Sequence, residues 1–283
     1  MPQISHAQVP PIQISVINES TVLTDADVTP VVNALQEQVS NDFLPVWGID
    51  AELTMVSKGT APSETSWWLV ILDDSDQAGA LGYHDLTPNS LPIGKAFAAS
   101  DLKAGTSWTV TASHELLEML ADPDINLTAF VQNADTTGTL YAYEVCDACE
   151  DDSFGYQIDD VLLSDFVYPA WFESFRAQGS TQFDHMNQIK NPLELLKGGY
   201  IGVFDVTEGT GWQQQTMEHN LVNVKFRGPV GSRRERRSTP RMQWVTSLPQ
   251  RRIITNAQQY RQHLQLIQQR REAVLSRGTP TAA

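Results

Sequence analysis

Apolar residues recur at alternate positions over Ile12–Asn18 (IQISVIN) and Ala51–Val56 (AELTMV), the period of a strand with one buried face. Trp67–Leu72 is a continuous apolar run, the pattern of a strand covered on both sides. Between the first two strands, Val31, Val32, Leu35, Val39 and Phe43 share one stripe at helical spacing. Thr24-Asp25-Ala26-Asp27 precedes them with capping side chains, so the pattern predicts a helix running to about Phe43. Asp73-Asp74-Ser75-Asp76 ends the third strand. Beyond it the chain reads as a short edge strand over 79–84, a loop over 88–94 and a further strand over 95–98.

A second helix is predicted over 107–121, with Val110, Leu116, Leu117 and Leu120 turned to the core. Pro123 stops it, because the residue before a proline is pushed out of helical geometry. Short strands follow over 142–145, 161–167 and 201–206, with a turn or helix opening at Tyr168-Pro169. The stretch 228–249 is rich in Arg, Ser, Pro and Gly and reads as a linker. A helix over 257–277 carries only a thin stripe of Tyr260, Leu264, Ile267 and Val274, suited to docking on a partner. No internal repeat is visible. The expected organisation is an N-terminal extension (1–11), one domain (12–220), and a basic linker with a C-terminal helix (221–283).

Charge sharpens that division. Residues 1–220 hold six Lys/Arg against 32 Asp/Glu, whereas residues 221–283 hold 13 against two. An acidic body repels phosphate, which argues against nucleic acid as the partner. A basic tail beside it suits strapping onto an acidic neighbour or another copy through 228–283. No apolar run exceeds six residues and no signal-peptide pattern opens the chain, so a cytoplasmic or virion/assembly-associated protein is expected, with no membrane segment. Cys146 and Cys149 form a C-x-x-C pair inside the acidic run 144–152. That setting raises thiol pKa values, so two ordinary thiols are expected rather than a redox centre.

The segment with chemical content is Ser113-His114-Glu115-Leu116-Leu117-Glu118. On a helix His114 and Glu118 lie one turn apart on one face and can reach the same metal ion. Glu115 sits about 100° round the helix, placed to act on a water as general base. Asp147, Glu150, Asp151 and Asp152 suit a hard-cation site for calcium, or a solvated acidic loop.

The helix resembles the active-site helix of zincin metallopeptidases, most of all the metzincin type, H-E-x-x-H-x-x-G-x-x-H/D. His114 and Glu115 match it, Glu118 replaces the second His, Ala121 replaces the Gly, and Asp124 falls at the third-ligand position. Followed by E-V-C-D-x-x-E-D-D, the helix is also similar to uncharacterised bacterial and phage zincin-like proteins. The resemblance covers roughly residues 12–125. It implies an α+β fold with a mixed twisted sheet, bound zinc, and hydrolysis of a peptide or protein substrate lying along the edge strand. It also implies Glu144 or Asp147 as an alternative third ligand to Asp124, and lesser candidates: Tyr156, His185 or Tyr200 at an oxyanion, and Met186 beneath the metal. The alternative is a non-catalytic zincin-like structural protein of a larger assembly, possibly phage-like, docked by its tail.

Overall fold

The computed structural model describes residues 10–76, 80–207 and 211–218, and the backbone alone of 221–226. The N-terminal extension up to residue 9, the linker and the C-terminal docking helix lie outside the described residues.

In chain order the strands are β1 (Ile12–Asn18), β2 (Ala51–Val56), β3 (Trp67–Leu72), β4 (Gly82–Leu86), β5 (Pro92–Phe97), β6 (Thr128–Ala134), β7 (Thr137–Ala142), β8 (Tyr156–Ile158), β9 (Val161–Leu163), β10 (Tyr200–Asp205), β11 (Trp212–Glu218) and β12 (Leu221–Phe226). The α-helices are α1 (Asp25–Glu37), α2 (Leu44–Trp47), α3 (Ala98–Ala104) and α4 (Trp108–Ala121). The first five strands form a mixed sheet in the order β2-β1-β3-β5-β4, parallel except for β4, which runs antiparallel to β5 at the edge. A second, antiparallel sheet has the order β12-β11-β10-β7-β6, and β8 and β9 make a small hairpin. The architecture is mixed α and β with few helices, consistent with the α+β expectation. No described helix is long and apolar enough to cross a membrane.

Alternation along the strands decides which face meets the helices. Ile14 and Val16 on β1, with Leu69 and Ile71 on β3, join one large core with Val28, Val31, Val32 and Leu35 of α1 and Leu116, Leu117 and Leu120 of α4. Ile17, Val56 and Val70 form a smaller cluster on the opposite face. α1 opens on a capping box: the Thr24 hydroxyl accepts from the Asp27 N–H, and the Asp27 carboxylate accepts from the Thr24 N–H at 2.7 Å.

Several boundaries differ from those the sequence predicts. The first helix keeps α geometry only to Glu37 and continues to Phe43 as a π-helix, Gln38–Phe43. The edge strand is 82–86 rather than 79–84, and the predicted loop after it already contains the start of β5, because Pro92 takes the first strand position, where a missing N–H costs least. The expected strand at 142–145 is absent except for Ala142, the last residue of β7, which pairs in a hairpin with β6. Only Val161–Leu163 of 161–167 is strand. α4 starts and ends within one residue of its expected range, and Asp122, out of helical geometry ahead of Pro123, receives the N–H groups of Asn126 and Leu127.

Candidate metal centre

α4 lies beneath β4 and β5, and a close approach fixes how near. A Cβ on Gly82 would stand 2.6 Å from Thr111 Cγ2 and 2.7 Å from Glu115 Oε1, so only glycine lets β4 settle onto the helix. His84 lies two residues on, hence on the same face of β4, and its side chain enters the same layer. It is fully buried, Glu118, Glu144 and Asp147 are nearly so, and Glu115 and His114 are 5% and 8% exposed.

These side chains converge. His114 Nε2 is 3.2 Å from Glu118 Oε1 and 3.3 Å from Asp147 Oδ1. His84 Nδ1 is 3.5 Å from Glu115 Oε2 and 3.6 Å from Glu118 Oε2, and its Nε2 is 3.7 Å from Glu144 Oε2. Glu118 Oε1 also accepts from the Cys146 N–H at 3.2 Å. Three sets of donor atoms are close enough to share an ion: His114, Glu118 and Cys146; His84, Glu115 and Glu118; and His114, Asp147 and Glu150.

The electrostatics are those of a site short of positive charge. Burial pulls the His114 imidazole down, but the Glu118 and Asp147 carboxylates beside it win and hold it well above the usual histidine range. Burial, then the neighbouring Asp147 and Glu144, pushes Glu118 well above the usual carboxylate range. Burial pushes Glu150 up to about 8. Both cysteines are free, buried, and raised well above the usual thiol range by burial, as the acidic setting predicts.

Of the sequence candidates, the fold brings His114, Glu115, Glu118, Glu144 and Asp147 together. Asp124 lies in the turn after α4 and belongs to none of the three donor sets. The four acids proposed for calcium divide. Asp147 and Glu150 face His114, Asp151 caps a short turn by accepting from the Ser153 N–H, and Asp152 accepts from the Ser107 N–H at the start of α4. Tyr156 and His185 meet elsewhere, at Asp42: the Tyr156 hydroxyl donates to Asp42 Oδ2 at 2.8 Å, and His185 Nε2 is 3.8 Å from the same oxygen. Tyr200 opens β10, and Met186 is 39% exposed. The sequence reading missed His84 as a site residue and Cys146 as a donor.

Two hydrogen-bonded assemblies support the centre. Gln38, at the head of the π-helix, accepts from the Ser113 hydroxyl at 2.7 Å and donates to the Ser164 carbonyl at 3.0 Å, and the Ser164 N–H donates back to Ser113 at 3.1 Å. This buried ring fixes the rotation of α4 one residue before His114. Asp165, also buried, accepts from the N–H groups of Phe166 and Met186. Burial, with the Asp184 carboxylate beside it, pushes Asp165 up to about 8. An unfolded Asp titrates near about 3.9, so between there and about 8 the folded chain holds a proton the unfolded chain lacks. Stability therefore falls as pH rises through that window. Asp165→Asn imitates the protonated acid and keeps both acceptor bonds. It is expected to flatten the decline, melting above wild type at about pH 9 and close to it at about pH 4. Melting temperature against pH checks this; parallel profiles would refute it.

Comparison with family models, with curated proteins and with solved structures finds no match to this chain.

Proposed function

We propose that the chain is a zincin-like metal-dependent hydrolase of peptide bonds, with His114, Glu118 and Asp147 holding the ion and Glu115 as general base. The observation that carries this reading is the crowding of donors on His114, which shares one set with Glu118 and Cys146 and another with Asp147 and Glu150. His114 Nε2 faces two carboxylate oxygens, one of them, Asp147 Oδ1, buried without a hydrogen-bond partner. Buried polar atoms are normally satisfied, so a cation is the natural occupant. Two donors each about 2.1 Å from a tetrahedral zinc stand about 3.4 Å apart, close to the separations found. Asp147 is thus a better third ligand than Asp124, with Cys146 beside Glu118 and Glu150 beside Asp147 as further donors to His114's ion.

A zinc ion here supplies Lewis acidity toward a carbonyl oxygen and toward water. The remaining work falls to the chain. Glu115 is nearly buried beside His84, where a carboxylate can take a proton from water and pass it to a leaving amine. β4 is the edge of the mixed sheet, so its outer side offers backbone groups to an extended peptide a few residues from His84. An edge strand beside the H-E-x-x-E helix supports this reading.

Zinc content and cleavage of a fluorescently labelled unfolded protein test the reading. Wild type should carry zinc bound through His114 and cut the substrate. Glu115→Gln should keep the His114-bound ion and lose activity by about 100-fold or more. A wild-type protein that binds no zinc after loading overturns the reading.

A further inference from the structure

We propose that His84, Glu115 and Glu118 form a second divalent-cation centre between β4 and α4, so that the chain holds two ions sharing the Glu118 carboxylate. The inference rests on the reading above for the first ion and goes beyond it for the second.

His84 is the observation that demands an occupant. It is fully buried, and neither ring nitrogen has a hydrogen-bond partner. A core histidine ordinarily satisfies at least one nitrogen through a hydroxyl, a carbonyl or a carboxylate. Here carboxylate oxygens surround it at 3.5–3.7 Å, too far for hydrogen bonds and suited to donor atoms that share an ion. Glu115 Oε2 is likewise buried and without a partner. The two nitrogens of His84 have different neighbours. Nδ1 faces Glu115 and Glu118, whereas Nε2 faces Glu144. That is the arrangement in which an outer carboxylate orients the imidazole and its opposite nitrogen binds metal.

Glu118 separates and joins the two centres. Its Oε1 faces His114 and its Oε2 faces His84, and the donors of the two histidines do not fall in one set. A carboxylate presenting one oxygen to each of two donor sets suits a bridge between ions about 3.5–4 Å apart. Charge favours the same conclusion. Among the described residues no Lys or Arg ion pair falls on Glu115, Glu118 or Asp147, and Glu144 and Glu150 add to the same buried region. A single dication leaves that cluster with surplus negative charge; two dications come close to neutralising it. Imidazole with carboxylates suits zinc or manganese. When the second ion is bound, Glu115 Oε2 is engaged as a ligand, so filling this centre competes with its role as base.

The test is metal stoichiometry on the full chain, loaded with excess Zn²⁺, passed through gel filtration and measured by elemental analysis. Wild type should retain two equivalents, His84→Ala and His84→Phe one, and His114→Ala one, with circular dichroism confirming that each variant is folded. One equivalent in wild type, lost in His114→Ala and kept in His84→Ala, overturns the second centre and leaves the proposed function standing. No retained zinc in wild type overturns both. Mn²⁺-loaded wild type gives an answer without any variant: an exchange-coupled electron paramagnetic resonance signal supports the shared carboxylate, and the spectrum of isolated ions alone overturns it.

Discussion

Glu118→Gln is expected to abolish tight metal binding while leaving the metal-free protein at least as stable as metal-free wild type. Both halves follow from one geometry. Glu118 is 1% exposed, with one oxygen toward each histidine. Its amide counterpart keeps an oxygen to accept from the Cys146 N–H but brings no charge to a cation. Removing an outer partner of a metal ligand costs roughly 10–100-fold in affinity, and removing a ligand that serves every ion in the site costs more. Zinc at a thousandfold excess over its dissociation constant stabilises a folded chain by about 4 kcal/mol, and the variant should lose that gain. Without metal the sign differs. Burial, Asp147 and Glu144 hold the Glu118 carboxyl well above its usual range, so the fold prefers the neutral form that glutamine imitates. Thermal unfolding with and without zinc checks both halves. A variant that zinc still stabilises as it does wild type would refute the assignment of Glu118 as a ligand.

The second large effect is expected at a glycine packed on the turn that carries Asp147. A Cβ on Gly199 would stand 2.3 Å from the carbonyl oxygen of Ala148 and 3.1 Å from that of Asp147. No rotamer change relieves a clash with backbone. Nor can the Ala148 carbonyl swing away cheaply, since it accepts from the Leu196 N–H at 2.9 Å. Gly199 is itself tied in place by a hydrogen bond of 2.8 Å from the Met217 N–H to its carbonyl. Gly199→Ala should therefore destabilise by about 3 kcal/mol, the upper part of the range for overpacking. In a domain of this size that lowers the melting temperature by roughly 6–12 °C. Relief can come only by shifting the turn Asp147–Cys149, which carries a proposed ligand. The zinc-dependent rise in melting temperature should shrink as well. A variant of lower stability with an undiminished zinc response would show that the turn does not position the ion.

The helix that carries the chemistry was legible because its signals are local. The i, i+4 spacing of His114 and Glu118 and the stop before Pro123 need only the chain itself, and α4 follows them. His84 was not legible. A single histidine on a short edge strand has no partner in sequence, and its meeting with Glu115 and Glu118 depends on how β4 pairs with β5 and packs on α4. The Gly82-Tyr83-His84 alternation was a usable signal, since it puts a residue without a side chain and an imidazole on one face. Cys146 was set aside as an ordinary thiol because C-x-x-C draws attention to the pair, whereas here one cysteine faces the ion-binding donors. β11 was missed for a different reason. Its WQQQTME pattern is nearly all polar, and pairing with β10 rather than apolar periodicity makes it a strand.

The π-helix at Gln38–Phe43 has a consequence for how this chain can change in length. Its wider turn takes one more residue than an α-helix needs, and Gln38 at its head reaches Ser113 and Ser164. Adding one more residue there would exceed what the wide turn absorbs and turn all that follows by about 100°. Trp47 would then leave the Val167 carbonyl, to which its indole donates at 3.1 Å. This interior segment cannot be lengthened without misaligning what it connects, whereas the exposed turn between β2 and β3 has room for variation. Insertions should accumulate in that turn and be purged from 38–43.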